Sequence, residues 1–136
     1  MAKVGTFINR VDSAAAVASV GTTYASAKRI TLKMLTSSDA RSVSGYFDHL
    51  YVYVSSISNA AALSMKITND TDGDDVIVQE IPGRVIETGI TTAAEGTVVF
   101  DLGHQAWSDT DDTVYAWIKC NNGTVTVDLA RLIWSE

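Results

Sequence analysis

What most constrains this chain is a short alternation of apolar and polar residues, repeated along its length and broken each time by Gly, Asn, Asp or Ser. Leu63, Met65 and Ile67 alternate with Ser64, Lys66 and Thr68, and Leu50, Val52 and Val54 alternate with Tyr51 and Tyr53. Ile30, Leu32 and Met34 stand against Thr31 and Lys33, while Val98, Phe100 and Leu102 stand against Thr97, Val99 and Asp101. A period of two sends successive side chains to opposite faces, so each run reads as a half-buried strand. Further strand candidates lie at 4–9 and 75–81. No segment sustains an apolar stripe at helical spacing; the Ala-rich run at 13–18 fits a short helix or a loop equally.

The C-terminal region adds a register. Asn122-Gly123 separates two β-rich runs, and both residue types tolerate the positive φ of a two-residue type I′ turn, which predicts a hairpin. Cys120 then faces Val125, Ile118 faces Val127 and Ala116 faces Leu129, one apolar side turned to a core. Lys119, Trp117 and Tyr115 take the other side. The register fails at Arg131, which would point inward; a bulge or the end of burial there returns Ile133 or Trp134 to the interior. Pro82-Gly83 reads as a turn ending the 75–81 strand, and the Asp-Gly at 72–73 as a hairpin turn. About eight short strands with regular turn signals describe an all-β antiparallel β-sandwich, one domain over residues 1–136. Longer connections at 37–48 and 82–95 favour the jelly-roll type, and one Cys cannot supply an immunoglobulin Cys…Trp…Cys core.

Composition narrows function. With 136 residues and 46% hydrophobic content, the chain can bury a core without disulfide staples. Lone Cys120 excludes a disulfide framework and any CxxC motif, and the first residues show no signal-peptide pattern. A net charge of −6 argues against nucleic acid as a partner, and no run is long enough to span a membrane. The first half of the chain is net basic and the second strongly acidic. That asymmetry either makes a dipolar surface that orients association or disappears if strands from both halves intermix.

Candidate chemistry is sparse. The acidic stretch Asn69-Asp70-Thr71-Asp72-Gly73-Asp74-Asp75 offers calcium-type oxygen ligands. Its EF-hand alignment fails, however: Gly73 at the sixth position puts Thr68 first and Gln79 last. A solvated hairpin turn is the simpler reading. His49 and His104 are the only histidines, in no HxH or HExxH pattern, and they read as loop or cap residues far apart in the sandwich. No GxSxG elbow is present, and Cys120 falls on the predicted core side, where a thiol packs as a small apolar group. The expectation is therefore no enzyme activity, no catalytic residues, no cofactor and no metal. Tyr51, Tyr53, Tyr115 and Trp117 form the remaining handle: semi-core residues, a subunit interface or a sugar-stacking platform.

In strand rhythm and Ala/Thr/Ser/Gly richness, the stretch 63–74, the segment 88–93 and the ending 123–136 resemble small β-sandwich virion proteins of tailed bacteriophages. These include the capsid decoration, or cement, proteins. The resemblance implies a jelly-roll protein at the capsid surface of the virion, assembled in the host bacterial cytoplasm. It would bind the major capsid protein and stabilise its lattice, as a homo-oligomer with a trimer favoured. An N-terminal arm carrying Lys3, Phe7 and Arg10 would serve as a clamp on a neighbour, or equally be an ordinary first strand. The alternative reading is a carbohydrate-binding β-sandwich module on a tail fibre or in host-surface recognition.

Overall fold

β-branched and aromatic residues at alternate positions suit a pleated, half-buried surface, and among the described residues ten strands result. They are β1 (Ile8–Asp12), β2 (Val17–Val20), β3 (Ile30–Lys33), β4 (Val43–Ser58), β5 (Ala62–Thr68), β6 (Val76–Val85), β7 (Glu87–Thr88), β8 (Gly96–Asp109), β9 (Thr113–Cys120) and β10 (Thr124–Ser135). The computed structural model describes residues 8–34, 43–88, 95–109 and 113–135. Among these residues the one helical element is a 3₁₀ turn, Ser26–Lys28. The Ala-rich run is loop at 13–16 and strand from Val17.

The strands make two antiparallel sheets, β1-β10-β4-β8-β7 with β2 also on β10, and β3-β9-β5-β6. β1 and β2 follow the same edge of β10 and act as one strand interrupted at 13–16. Ser13 holds the interruption in place: its amide donates to the Ala130 carbonyl, and its Oγ accepts from the Ala130 amide, both at 2.9 Å. With β1/β2 counted once and short β7 set aside, two four-stranded sheets remain. Every connection except β5–β6 crosses from one sheet to the other. The fold is thus an all-β sandwich of jelly-roll type.

One hydrophobic core lies between the sheets. Leu50, Val52, Val54, Phe100, Leu132 and Trp134 enter it from the six-stranded sheet; Leu32, Leu63, Met65, Ile67, Val114 and Ile118 enter from the other. Each such side chain contributes about 1.5–3 kcal/mol by leaving water.

The predicted C-terminal hairpin does not form. β9 belongs to the four-stranded sheet and β10 to the six-stranded one, so 121–123 turns a corner between sheets. A type I′ turn needs positive φ at both central residues, whereas here only Gly123 has it, at φ 67°. Ile118, Cys120, Val125 and Val127 do all face the core, but from opposite sheets rather than across one ladder. The expected bulge is present: Val127 pairs with Val54 and Leu129 with Tyr53, leaving Asp128 extra. That shift buries Trp134 and turns Arg131 outward.

Pro82-Gly83 also differs from expectation. β6 runs through it as a bulged edge strand, with Gly83 at φ 64° and its amide donating to Ser64 Oγ at 3.2 Å. An edge strand tolerates the missing proline N–H. The 69–75 segment is the predicted hairpin turn, joining paired β5 and β6. The two histidines are close rather than far apart: His49 pairs with Asp101 across β4 and β8, and His104 bonds to Asp48. Both lie within strands at matching bulges, because Gly103 and His104 each take positive φ and let β8 bow outward.

The charge asymmetry dissolves in the sheets. Except for β7–β8, every ladder joins a strand from before the 69–75 turn to one from after it.

Three glycines make a sharp test of the packing. A Cβ at Gly123 would meet the Ser58 carbonyl oxygen at 1.8 Å, and one at Gly45 would meet the Ser135 carbonyl oxygen at 2.2 Å. At Gly21 a Cβ meets nothing within 4 Å. Gly45→Ala and Gly123→Ala should each lose about 2–4 kcal/mol in urea unfolding. Gly21→Ala should stay within about 0.5 kcal/mol of the parent.

Candidate functional site

The four aromatic residues singled out from sequence do not share a surface. Tyr51 and Tyr53 alternate with core residues on β4 and so lie on the outer face of the six-stranded sheet. Tyr115 and Trp117 alternate with Val114, Ala116 and Ile118 on β9 and lie on the outer face of the other sheet. The core separates the two pairs.

Trp117 is not an exposed platform, although it is on an outer face. It is 3% exposed. The 69–75 turn folds over its indole, with Gly73 so near that a Cβ there would come within 3.2 Å of the ring. Trp117 Nε1 donates to Thr68 Oγ1 at 2.7 Å, and that hydroxyl donates onward to the Asp70 carbonyl at 2.8 Å. Lys66 closes the cover, donating to the Gly73 carbonyl at 3.2 Å with its ammonium 5.3 Å from the indole centroid.

Sequence reasoning missed Tyr24, which completes this face. It sits in a Gly/Thr/Ala loop with no periodic signal to mark it. Its ring lies under two cations, Lys119 at 4.6 Å and Lys66 at 5.1 Å, and its hydroxyl donates to Glu80 Oε1 at 2.6 Å. Glu80 also takes Lys119 at 3.0 Å. Burial and then the Glu80 carboxylate push the Tyr24 hydroxyl far above its ordinary range, while Tyr24 and Lys119 hold Glu80 below the usual carboxylate range. Arg29 lies 5.8 Å from the Tyr115 centroid. Cation–π contacts of this kind contribute about 0.5–1 kcal/mol each when exposed. The chain thus covers the Trp117 and Tyr24 part of the outer face of the four-stranded sheet, while Tyr115 stays half-buried and Val85 on edge strand β6 is 71% exposed.

Asp70, Asp72 and Asp74 bring carboxylate oxygens within 4.8 Å of one another, the arrangement among the described residues that most resembles a cation site. Asp70 Oδ1, however, already accepts three backbone amides, from Gly73, Asp74 and Asp75 at 3.0, 3.1 and 3.2 Å. That bonding accounts for the turn without an ion.

The outer face of the six-stranded sheet has a different character. Ile8 is 74% exposed, Val99 43% and Tyr46 40%. His49, Tyr51, Tyr53, Leu129 and Ile133 lie half-buried among them. Tyr46 stacks on His104 at 4.2 Å with the rings 7° apart, and His104 Nδ1 is 2.6 Å from Asp48 Oδ1. Arg131 lies across the sheet, its Nε 2.8 Å from Asp12 Oδ1 and its guanidinium 5.9 Å from the Tyr53 centroid. The hydrogen bond from Arg131 holds Asp12 below its ordinary range. Arg10 stands exposed on β1, 3.9 Å from Asp12. From Ile8 onward the expected arm is an edge strand on the chain's own β10; Lys3 and Phe7 lie outside the described residues.

Cys120 is buried where expected, its Sγ near the carbonyls of Gly123 and Gly21 at 3.3 and 3.4 Å, and desolvation pushes its thiol up. A thiol in that state is a poor nucleophile. A hollow of about 380 Å³, lined by Ser44, Gly45, Tyr46, Ala106, Trp107 and Ser108, is an open depression at one end of this sheet. No helix among the described residues is long and apolar enough to cross a membrane.

The chain is therefore a jelly-roll sandwich in which the 69–75 turn, Tyr24 and two lysines cover the centre of one outer face, and the other outer face is aromatic-aliphatic. No protein-family model matches it, and no curated protein is significantly similar to it.

The turn gives a discriminating test. If amide bonds to Asp70 hold it, Asp70→Ala should cost about 1–3 kcal/mol in chelator-treated protein, and Asp72→Ala less than about 0.5 kcal/mol. Similar losses from both, appearing only when calcium is added, would indicate an ion instead. A second test uses acid. Asp12 is depressed in the fold, so its pairing with Arg131 stabilises fully above the unfolded carboxylate value of about 3.9. That contribution is lost as pH falls through the lower folded value. Asp12→Asn should flatten this acid limb in urea unfolding by less than about 1 kcal/mol, since the pair is partly exposed.

Proposed function

We propose that this chain is a non-enzymatic virion structural protein of a tailed bacteriophage, a capsid decoration protein that binds the major capsid protein lattice at the capsid surface. The observation that carries the reading is the jelly roll's aromatic-aliphatic sheet face, with Ile8, Tyr46 and Val99 exposed, which fits a chain that works by protein contact, whether with its own copies or with a lattice. Exposed apolar patches of this kind mark contact with other macromolecules. The sequence resemblance to small phage β-sandwich proteins supplies the setting. A fold alone does not choose a function, so the face and the resemblance bear the weight together. Attachment in many symmetric copies lets weak contacts add up, given geometry that allows them to engage together.

The carbohydrate-binding alternative draws no support from the geometry. Its four aromatic residues divide between opposite faces, and Trp117 lies beneath the 69–75 turn.

Cryo-electron microscopy of virions assembled with and without this gene tests the proposal. The expected difference is jelly-roll density on the outside of the head, present only with the gene. Density confined to the tail, or no difference at all, overturns it.

A further inference from the structure

The two outer faces call for different treatment. Tyr24, Lys66, Lys119 and the 69–75 turn cover the four-stranded sheet. No turn folds over the described part of the six-stranded sheet; Arg131 lies over Tyr53, and Tyr51, Tyr53, His49 and Ile133 remain partly open around exposed Ile8, Tyr46 and Val99.

We propose that this face packs against the same face of a second copy of the chain, about a two-fold axis running along the strands between β10 and β4. The register carries the argument. Side by side across the outer face stand Arg10 on β1, Ile133 on β10, His49 on β4 and Asp101 on β8. Adjacent strands are about 4.8 Å apart, so the two charges sit about 14 Å apart at the ends of this row.

A two-fold along the strands reverses the row on the facing copy. Arg10 then lies over the partner's Asp101, and Asp101 under the partner's Arg10, with Ile133 against the partner's His49. The next row reads Asp12, Arg131, Tyr51 and Val99. The same operation places Arg131 over the partner's Tyr51, a cation–π arrangement. Asp12 keeps its own bond to Arg131 at 2.8 Å.

Both end charges are available for this role. The Arg10 side chain is 61% exposed and only 3.9 Å from Asp12, and exposed Asp101 takes the Gly103 amide with one oxygen. A row with one Arg and one Asp does not select a partner of single charge sign, but it does complement itself in reverse. That is the signature of an isologous contact. Only Ile8, Tyr46 and Val99 are well exposed on this face and its other apolar side chains are half-buried, so the dimer is concentration-dependent, with Kd on the order of micromolar or weaker. The inference rests on reading this face as an interaction surface, not on the virion assignment, and it favours two-fold over three-fold association.

Sedimentation velocity of the full chain from micromolar to near-millimolar concentration tests it, with circular dichroism confirming that each variant folds. A monomer–dimer equilibrium is expected for the parent. Arg10→Asp or Asp101→Arg alone should weaken it about tenfold or more, since each places like charges together twice. The double variant should return to within a few fold of the parent, Tyr51→Glu should abolish the dimer, and Lys33→Asp on the other sheet should leave it unchanged. A parent that stays monomeric throughout overturns the pairing. So does a dimer indifferent to the single reversals, or one that the double variant does not restore. A monomer whose six-stranded face gains hydrogen-exchange protection only on capsids overturns it as well, and gives the face to the capsid protein while leaving the virion reading standing.

Discussion

The extra residue at Asp128 decides which side chains of β10 see the interior, and through β10 it organises the six-stranded sheet. Before the bulge Val125 and Val127 point inward; after it Ala130, Leu132 and Trp134 do. Without that shift of one position, Arg131 would enter the core and Trp134 would leave it. Ser55 Oγ donates to Asp128 Oδ1 at 2.8 Å and so ties the bulge to β4. β10 also carries β1 and β2 on its other edge, so the outward turn of Arg131 is what lets Asp12 meet it. A local irregularity thus fixes both the core on one side of the sheet and the charge pattern on the other.

Strand identity and facing were legible because a period of two admits few alternatives. The runs through Leu50, Leu63 and Phe100 bury the residues that their alternation predicts. A break was legible too, since a charged Arg131 on an apolar face needs a bulge or an end to burial, and the structure has the bulge. Pairing was not legible at the C-terminus: Cys120 and Val125 both face the core, and apolar alternation is the same for two strands in one ladder and two strands facing across a sandwich. Pro82-Gly83 misled for a related reason, because the same dipeptide serves a turn or a bulge on an edge strand, and only neighbouring β5 decides. The candidate site was the least legible. Trp117 carries an outward position in its alternation, but its cover comes from a turn that folds back over it. Tyr24 acts through Glu80, 56 residues away.

The contrast between the two outer faces has a physical origin in the loops. The four-stranded sheet receives the 69–75 turn and the segment carrying Tyr24, and its Lys66 and Lys119 have long stems that cover aromatic surface while keeping their charges near water. Among the described residues the six-stranded sheet has groups held in place on its outer side, with Asp12 paired to Arg131 and His104 bonded to Asp48. Groups already bonded to one another and stacked rings, such as Tyr46 on His104, leave a surface that loses little side-chain freedom on contact.

Interleaving the two halves of the chain has a consequence for how the molecule comes into being. β10 lies between β1 and β4, and β9 between β3 and β5, so neither sheet has its centre until the last strands are made. A ribosome-bound chain ending before β9 holds β1, β3, β4 and β5 without the partners that join them. The ladders β5–β6, β7–β8 and β4–β8 are complete by then, and local hairpin β5–β6 is the natural first piece to form. Contacts of such long sequence separation make folding slow and late, with unpaired strand edges exposed in the interval. Arrival of β9 and β10, more than any single contact, is therefore the step that commits this sequence to its fold.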